Sequence, residues 1–301
     1  MGKIYIRIFN NSFKMQSDLI KNISVIILTY NEELNIGQAL KSVSGWAEEI
    51  IVLDSGSVDN TINIANSFGA KVINRQFDNY ANQRNYALKE LPVTTEWILF
   101  LDADEYLTDE LKNEIENAII KNNIDGYYIK FKFYFLDKWI KHGGYYPTWI
   151  MRLCKKDKAT VSRDMNEHIQ ISGKIGYLEN PFIHKDNKGI SDWIAKHNKY
   201  ATYEAEELLK YKQRKQAGEK DGFANLSGSQ AQKKRWIREY IWNPLMPPLI
   251  RPFIYFFYRY IIRLGFLDGK AGFVYHFLQG LLYPFLIDVK YLELRRKNNV
   301  K

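Results

Sequence analysis

One cysteine in 301 residues, Cys154, leaves no intrachain disulfide framework and no zinc cluster built on several thiolates. A reducing, cytoplasmic setting fits that scarcity. Long apolar runs are missing as well. The longest uncharged stretch, residues 271–287, holds 17 residues and is broken by Gly272, Gly280 and Pro284. A membrane span normally needs about 20 apolar residues, so none is expected. The first residues, MGKIYIRIFNNSFKMQS, lack the apolar core of a secretory signal, which argues against secretion. Neither repeats nor low-complexity tracts occur. What is present, 46% hydrophobic and 26% charged residues, excludes wholesale disorder and leaves room for one large domain with an appendage.

The formal net charge of +9 is unevenly spread. Residues 1–187 carry 22 Lys and Arg against 24 Asp and Glu, whereas residues 188–301 carry 21 against 10. The basic part is also rich in Trp, Tyr and Phe, a composition suited to an anionic and partly apolar surface.

Short β-branched runs at 23–28 (ISVIIL), 49–53 (EIIVL), 70–73 and 97–101 (WILFL) predict strands buried on both faces. Helical spacing falls between them at 36–43, 58–68 (closed by Gly69) and 80–91. This βαβα series predicts an α/β fold, a mostly parallel sheet flanked by helices whose ligands bind beyond the carboxyl ends of the strands. From Gly126 the pattern changes. Residues 126–135 alternate aromatics with Lys, 148–154 predict another strand, and 192–215 a charged helix. Aromatic helical segments follow around 250–264 and 273–294. The expected organisation is an N-terminal extension (1–22), a catalytic domain (23–187) and a C-terminal helical, aromatic and basic appendage (188–301).

Four polar clusters follow successive strands. Asp102-Ala103-Asp104-Glu105 ends the fourth, where two carboxylates can reach one Mg²⁺ or Mn²⁺ that also holds a diphosphate. Taken alone it is equally an acidic turn ahead of a helix starting near Thr108. Thr29-Tyr30-Asn31-Glu32 follows the first strand, with Asn31 also placed to cap the next helix. Asp54-Ser55-Gly56-Ser57-x-Asp59 follows the second. There Asp54 could accept hydrogen bonds from a base or ribose, or simply cap the loop, and Asp59 sits at a helix start. Arg84, in Gln83-Arg84-Asn85, could offset phosphate charge or lie on a solvated helix face.

In order, the segments SVIILTYNEE, VLDSGSVDNT, QRNYAL and FLDADE resemble the family 2 glycosyltransferases of the GT-A (Rossmann-like) fold. The likeness continues through GGYYPTWIMRL, NEHI and LGFLDGKAGF, and is similar to that of the WaaE/KdtX-type transferases of bacterial lipopolysaccharide core. It implies that Thr29, Asn31, Glu32, Asp54, Asp59, Arg84 and Asp102 hold a nucleoside-diphosphate sugar. It further implies that Asp102 and Asp104 bind Mn²⁺ or Mg²⁺, with His184 reaching the metal or diphosphate, and that Glu167 is the general base. This chain has Asn166-Glu167-His168 where many relatives have His-Glu. Inverting transfer from a UDP-sugar to a saccharide acceptor, lipid-linked and met at the inner face of the bacterial cytoplasmic membrane, is the implied activity.

The turn Gly143-Gly144-Tyr145-Tyr146-Pro147, with Trp149 beyond it, reads either as an aromatic wall for the acceptor or as ordinary packing. Nucleic acid is not an expected partner, because no RNA-recognition, zinc-finger or helix-turn-helix pattern accompanies the basic part. A polyprenyl-phosphate glycosyltransferase and a non-catalytic sugar-nucleotide-binding or nucleic-acid-binding protein are the alternatives. For the C-terminal aromatics the rival readings are an anionic membrane surface and an internal cap.

Overall fold

The computed structural model describes residues 22–121, 123–162, 168–216, 226–227, 230–237 and 246–299. These form two compact units. One comprises the described residues through Phe133 together with Pro147–Asn187; the other comprises Tyr134–Tyr146 and the described residues from Lys188 onward.

The first unit begins with β1 (Ile23–Thr29), α1 (Ile36–Val43), β2 (Glu49–Asp54), α2 (Thr61–Ser67), β3 (Lys71–Asn74), α3 (Tyr80–Lys89) and β4 (Trp97–Asp102). Strand β1 pairs in parallel with both β2 and β4, and β2 with β3. Its residues are almost all buried, as a central strand covered on both faces requires. Helix α1 meets the sheet through Ile36, Ala39, Leu40 and Val43, one face of a 3.6-residue period. The expected parallel sheet is therefore present in β1–β4.

The sheet continues with strands of the opposite sense. After β5 (Glu105–Tyr106) and α4 (Asp109–Lys121) come β6 (Gly126–Phe135), β7 (Lys138–Trp139), β8 (Trp149–Lys155), β9 (Ala159–Ser162), β10 (His168–Ile171) and β11 (Ile175–Lys185). The strand order is β3-β2-β1-β4-β8-β6-β11-β5, with β8 antiparallel to β4 and β11 antiparallel to β5. Strands β9 and β10 form a separate antiparallel pair. Helix α4 starts where expected, Thr108 Oγ1 accepting from the Leu111 N–H at 3.2 Å and Asp109 and Glu110 lying in its first turn.

One boundary differs from expectation for a physical reason. The helix anticipated from Val58 begins at Thr61. The intervening amides are taken by side chains: Val58 N–H by Asn31 Oδ1 at 2.9 Å and Asn60 N–H by Glu33 Oε2 at 3.0 Å. These bonds hold the loop out of helical geometry.

The second unit contains β7, which pairs with Tyr134 and Phe135. Its helices are α5 (Ile190–Gln216), α6 (Gln230–Ile237), α7 (Arg251–Phe257), α8 (Gly269–Phe277) and α9 (Tyr283–Asn299). The single helix anticipated over 250–264 is divided: α7 runs into a π-helical turn at Tyr258–Ile262, and Leu264 then adopts a left-handed conformation (φ 60°). A second π turn, Leu278–Leu282, links α8 to α9. Lys290 of α9 donates to the Asn198 carbonyl, Asn198 Oδ1 and Thr202 Oγ1 of α5, each at 2.7 Å.

Polarity is inverted over the stretch from α7 to α9. Arg251, Arg259, Asp268, His276 and Asp288 are buried, whereas Phe253 and Phe257 are each 56% exposed and Ile262 59%. Asp288 is fully buried and held by Arg251 and the Leu249 N–H. No described helix is long and apolar enough to cross a membrane.

Candidate active site

Parallel pairing brings the carboxyl ends of β1, β2 and β4 to one edge, with Thr29 opposite Asp54 and Leu28 opposite Asp102. Three of the four clusters anticipated from the sequence therefore share an edge. The loops after β1 and β2 are knitted together. Asn31, in the left-handed region (φ 52°), donates its N–H to Ser57 Oγ at 2.8 Å, and Glu32 N–H reaches Thr61 Oγ1 at 2.7 Å. Glu33 N–H is accepted by Asp59 Oδ2 at 3.1 Å, and Asp59 Oδ1 accepts from Thr61 N–H at 3.0 Å.

Asp54 is fully buried, and its Oδ2 accepts from the Gly56 and Ser57 amides at 2.8 Å each. Its Oδ1 accepts from Ser57 Oγ at 2.5 Å. The carboxylate thus shapes the loop, and Gly56 supplies the positive φ (92°) the turn needs. Thr29, buried beside it, has a hydroxyl without a hydrogen-bond partner among the described residues.

Asp102, Asp104 and Glu105 sit in a tight turn between β4 and β5, Asp102 N–H donating to Glu105 Oε2 at 3.0 Å. Arg84 is not on a solvated face: it is 3% exposed, lies over the Phe100 ring, and places Nη2 3.2 Å from Asp102 Oδ1. Arg152 of β8 places Nη2 2.6 Å from both Asp102 Oδ2 and Glu105 Oε1. Because β11 pairs with β5, His184 falls opposite Glu105 and its Nε2 lies 3.2 Å from Asp104 Oδ2. Phe133 meets the imidazole edge-on. The loop beyond β11 is tied back to β1 by Asn35, whose Oδ1 accepts from Asn187 N–H and whose Nδ2 donates to Asp186 Oδ1.

Three cations thus face three carboxylates. Burial would raise Asp102, but the Arg152 and Arg84 guanidiniums outweigh it and hold the carboxyl below its ordinary range. Burial pushes Glu105 up to about 7 against the opposing pull of Arg152. For His184 burial disfavours the charged form, yet Asp104, with Glu105 and Asp102 behind it, carries the imidazole up to about 9.

Among the described residues no group of three or more His, Cys, Asp and Glu is arranged to hold a metal ion. Asp104 and His184 nevertheless present oxygen and nitrogen donors 3.2 Å apart. Mg²⁺ is commonly bound through one or two carboxylates plus substrate phosphates rather than an all-protein cage. The donor set fits a divalent cation shared with a diphosphate, and does not close a site unaided.

Thr29, Asp54, Asp102, Asp104, Arg84 and His184 thus lie along one edge of the first unit, with Asn31, Glu32 and Asp59 in the loops beside it. Glu167 lies outside the described residues. Glu105 and Arg152 carry much of the site's charge without having been singled out. The available signal was Arg152 itself, a charged residue inside the otherwise apolar segment WIMRLC.

The family model described as Glycosyl transferase family 2 matches residues 24–184. An uncharacterized glycosyltransferase of Rickettsia conorii is 27% identical, the alignment spanning 94% of this chain and 93% of that protein. Lipopolysaccharide core biosynthesis glycosyltransferase LpsC of Rhizobium meliloti is 24% identical, over 92% of this chain and 96% of its own length. Among solved structures, glucosyl-3-phosphoglycerate synthase from Mycobacterium tuberculosis, in complex with Mn²⁺, UDP and glucosyl-3-phosphoglycerate, is similar with a TM-score of 0.32 and 22% identity. That similarity covers 40% of this chain and 47% of the solved one.

Proposed function

This chain belongs to glycosyl transferase family 2, and from that premise we propose that it moves a sugar, with inversion, from a UDP-sugar to a hydroxyl of a lipid-linked bacterial saccharide. The observation that carries this reading is the Asp102–Asp104–His184 edge, backed by Arg84 and Arg152 and adjoining the β1 and β2 loops. Nucleotide loops on two parallel strands and a charged cluster on a third suit the two ends of a nucleoside diphosphate.

Thr29, Asn31, Glu32, Asp54 and Asp59 form the nucleoside end, with Asp54 and Asp59 ordering the loops that would meet the ligand. Asp104 and His184, with Asp102, would hold Mn²⁺ or Mg²⁺. Bound there, the cation offsets charge on the departing diphosphate. Arg84 and Arg152 orient Asp102 and add positive charge on the same side. A sugar hydroxyl holds its proton too tightly to attack unaided at neutral pH. Glu167 is the proposed base, and a carboxylate within hydrogen-bond reach contributes roughly a hundredfold or more.

The inverted polarity from α7 to α9 supports a position at the inner face of the cytoplasmic membrane. Charged and polar groups turned inward and phenylalanines turned outward suit a surface that meets acyl chains better than one that meets water. Lys and Arg of the basic C-terminal part would be drawn to anionic lipid. The test of the catalytic reading is a panel of UDP-, GDP- and dTDP-sugars incubated with the purified chain. Metal-dependent release of a nucleoside diphosphate from one nucleotide class supports it; no release from any of them, with or without a saccharide acceptor, contradicts it.

A further inference from the structure

The second unit contains a polar cluster that the catalytic reading leaves unused. It is built around the turn His142-Gly143-Gly144, both glycines having positive φ (71° and 73°). Asp268, 3% exposed, grips His142 twice: Oδ2 accepts its backbone N–H at 2.9 Å, and Oδ1 lies 2.6 Å from ring Nδ1. This fixes the imidazole, whose other nitrogen, Nε2, has no hydrogen bond to a described residue. The His142 side chain remains 31% exposed, so that nitrogen is not sealed in the interior.

Two arginines bracket the turn. The Arg263 carbonyl accepts the Gly143 N–H at 2.9 Å, and the exposed Arg263 guanidinium runs alongside Gly144, its Nε 3.4 Å from where a Cβ would stand. Arg259 Nε donates to the Gly143 carbonyl at 3.2 Å, and its guanidinium lies over the rings of Tyr145, Tyr255 and Tyr275. Arg259 is 5% exposed and hydrogen-bonded to Tyr275, and neither it nor Arg263 forms a salt bridge with a described carboxylate. Buried cations are ordinarily paired.

A third observation points the same way. His276 is fully buried against this turn, and neither ring nitrogen has a hydrogen-bond partner among the described residues. A Cβ on Gly143 would stand 2.1 Å from His276 Cε1, and one on Gly265 would stand 2.6 Å from its Nε2. Glycine is thus required on two sides to seat this ring behind the turn. Buried polar groups left unpaired are rare enough in native proteins to need a reason.

We propose that the His142-Gly143-Gly144 turn, with Arg263 and the Asp268-held imidazole, binds the phosphate group of an anionic ligand. Arg263 supplies a planar donor fork and His142 Nε2 a further contact. Arg259 supplies a buried positive field behind the turn. Among the described residues Asp268 is the one carboxylate within bonding distance of these groups, and both its oxygens are committed to His142. The residues flanking Arg263 are exposed and apolar: Ile261, Ile262, Leu264, Phe266 and Leu267. They favour a phosphate that carries a hydrocarbon chain over a free one. The second unit can hold such a phosphate whether or not the first cleaves a sugar nucleotide.

The test is calorimetric titration of the full chain with two probes, a monomeric short-chain phosphatidic acid and inorganic phosphate. Saturable one-to-one binding is expected, weakened about tenfold or more by Arg263→Gln and by His142→Gln. Arg214→Gln, which removes the same charge from an exposed position on α5, should bind as the unaltered chain does. Binding of phosphatidic acid alone identifies a lipid phosphate, and equal binding of inorganic phosphate identifies a soluble one. Arg263 is exposed, so its replacement should leave the melting temperature and near-ultraviolet dichroism intact. No saturable binding of either probe, or equal loss in Arg214→Gln, would overturn the proposal.

Discussion

His184 Nε2 stands 3.2 Å from Asp104 Oδ2, although one residue ends a long antiparallel strand and the other follows a parallel one. The join is made by β11 pairing with β5, which sets His184 opposite Glu105, and by Lys185 N–H donating to the Asp104 carbonyl at 2.9 Å. A donor pair of this kind depends on sheet topology rather than on either local segment. It places an imidazole on the same side as the acidic turn.

Arg152 holds this arrangement together from beneath. Its removal leaves Glu105, 1% exposed, buried without its principal cation. Arg152→Met is expected to lower unfolding stability at pH 8 by about 3 kcal/mol or more. The double variant with Glu105→Met should recover much of that loss, since breaking a buried pair costs more than replacing both members. Urea denaturation measures both. A single variant as stable as the unaltered chain would show that the bridge does not hold the turn.

Glu167→Gln should leave affinity for the sugar nucleotide nearly unchanged while lowering kcat roughly a hundredfold or more. Glutamine keeps the size and hydrogen-bonding reach of the carboxylate but takes no proton. Steady-state kinetics with separate donor-binding measurements distinguish the two effects. If donor affinity collapses and turnover survives, Glu167 is a binding residue.

The stability of the second unit should fall in mild acid because of His276. Burial, reinforced by Arg259 and His142 and opposed by Asp268, pushes its imidazole down to about 4 from an ordinary 6.5. Between those values the unfolded chain takes up a proton that the folded chain refuses. The associated stability is complete above about 6.5 and is lost progressively as pH falls toward about 4. Between pH 7 and pH 5 the melting temperature should drop several degrees further in the unaltered chain than in His276→Asn. Equal drops would show that another group controls the acid limb.

Replacing Phe253 and Phe257 with Ser removes two exposed rings without opening the interior. The double variant should fold normally and lose sedimentation with anionic vesicles, and the unaltered chain should lose it as salt is raised. Phe256 is half-buried and stacks on Tyr260, so its loss would confuse packing with binding. Failure of the unaltered chain to sediment at low salt would remove the membrane reading.

The parallel strands and the polar loops at their ends were legible because a strand covered on both faces must be an apolar run, and the run stops where the polar edge begins. Asp102, Asp54 and Thr29 were found that way. Arg152, and the pairing of Glu105 with it, were not, since a buried ion pair has no period and Arg152 looks like a surface residue until β8 and β4 are paired. Strand β11 was equally hidden: its segment mixes exposed and buried positions around Asn180 and Pro181 without clean alternation. The π turns at Tyr258–Ile262 and Leu278–Leu282 escaped because their composition is that of ordinary helix.

The central claim, that the edge formed by Asp102, Asp104 and His184 serves transfer from a sugar nucleotide, is tested most directly by comparing Asp104→Ala with the unaltered chain. The measurement is release of nucleoside diphosphate from the sugar nucleotide that the unaltered chain uses, with Mn²⁺ and with chelator. The unaltered chain should release it only with the cation, and Asp104→Ala should release none above background under either condition. Near-normal turnover by Asp104→Ala in chelator would contradict the account.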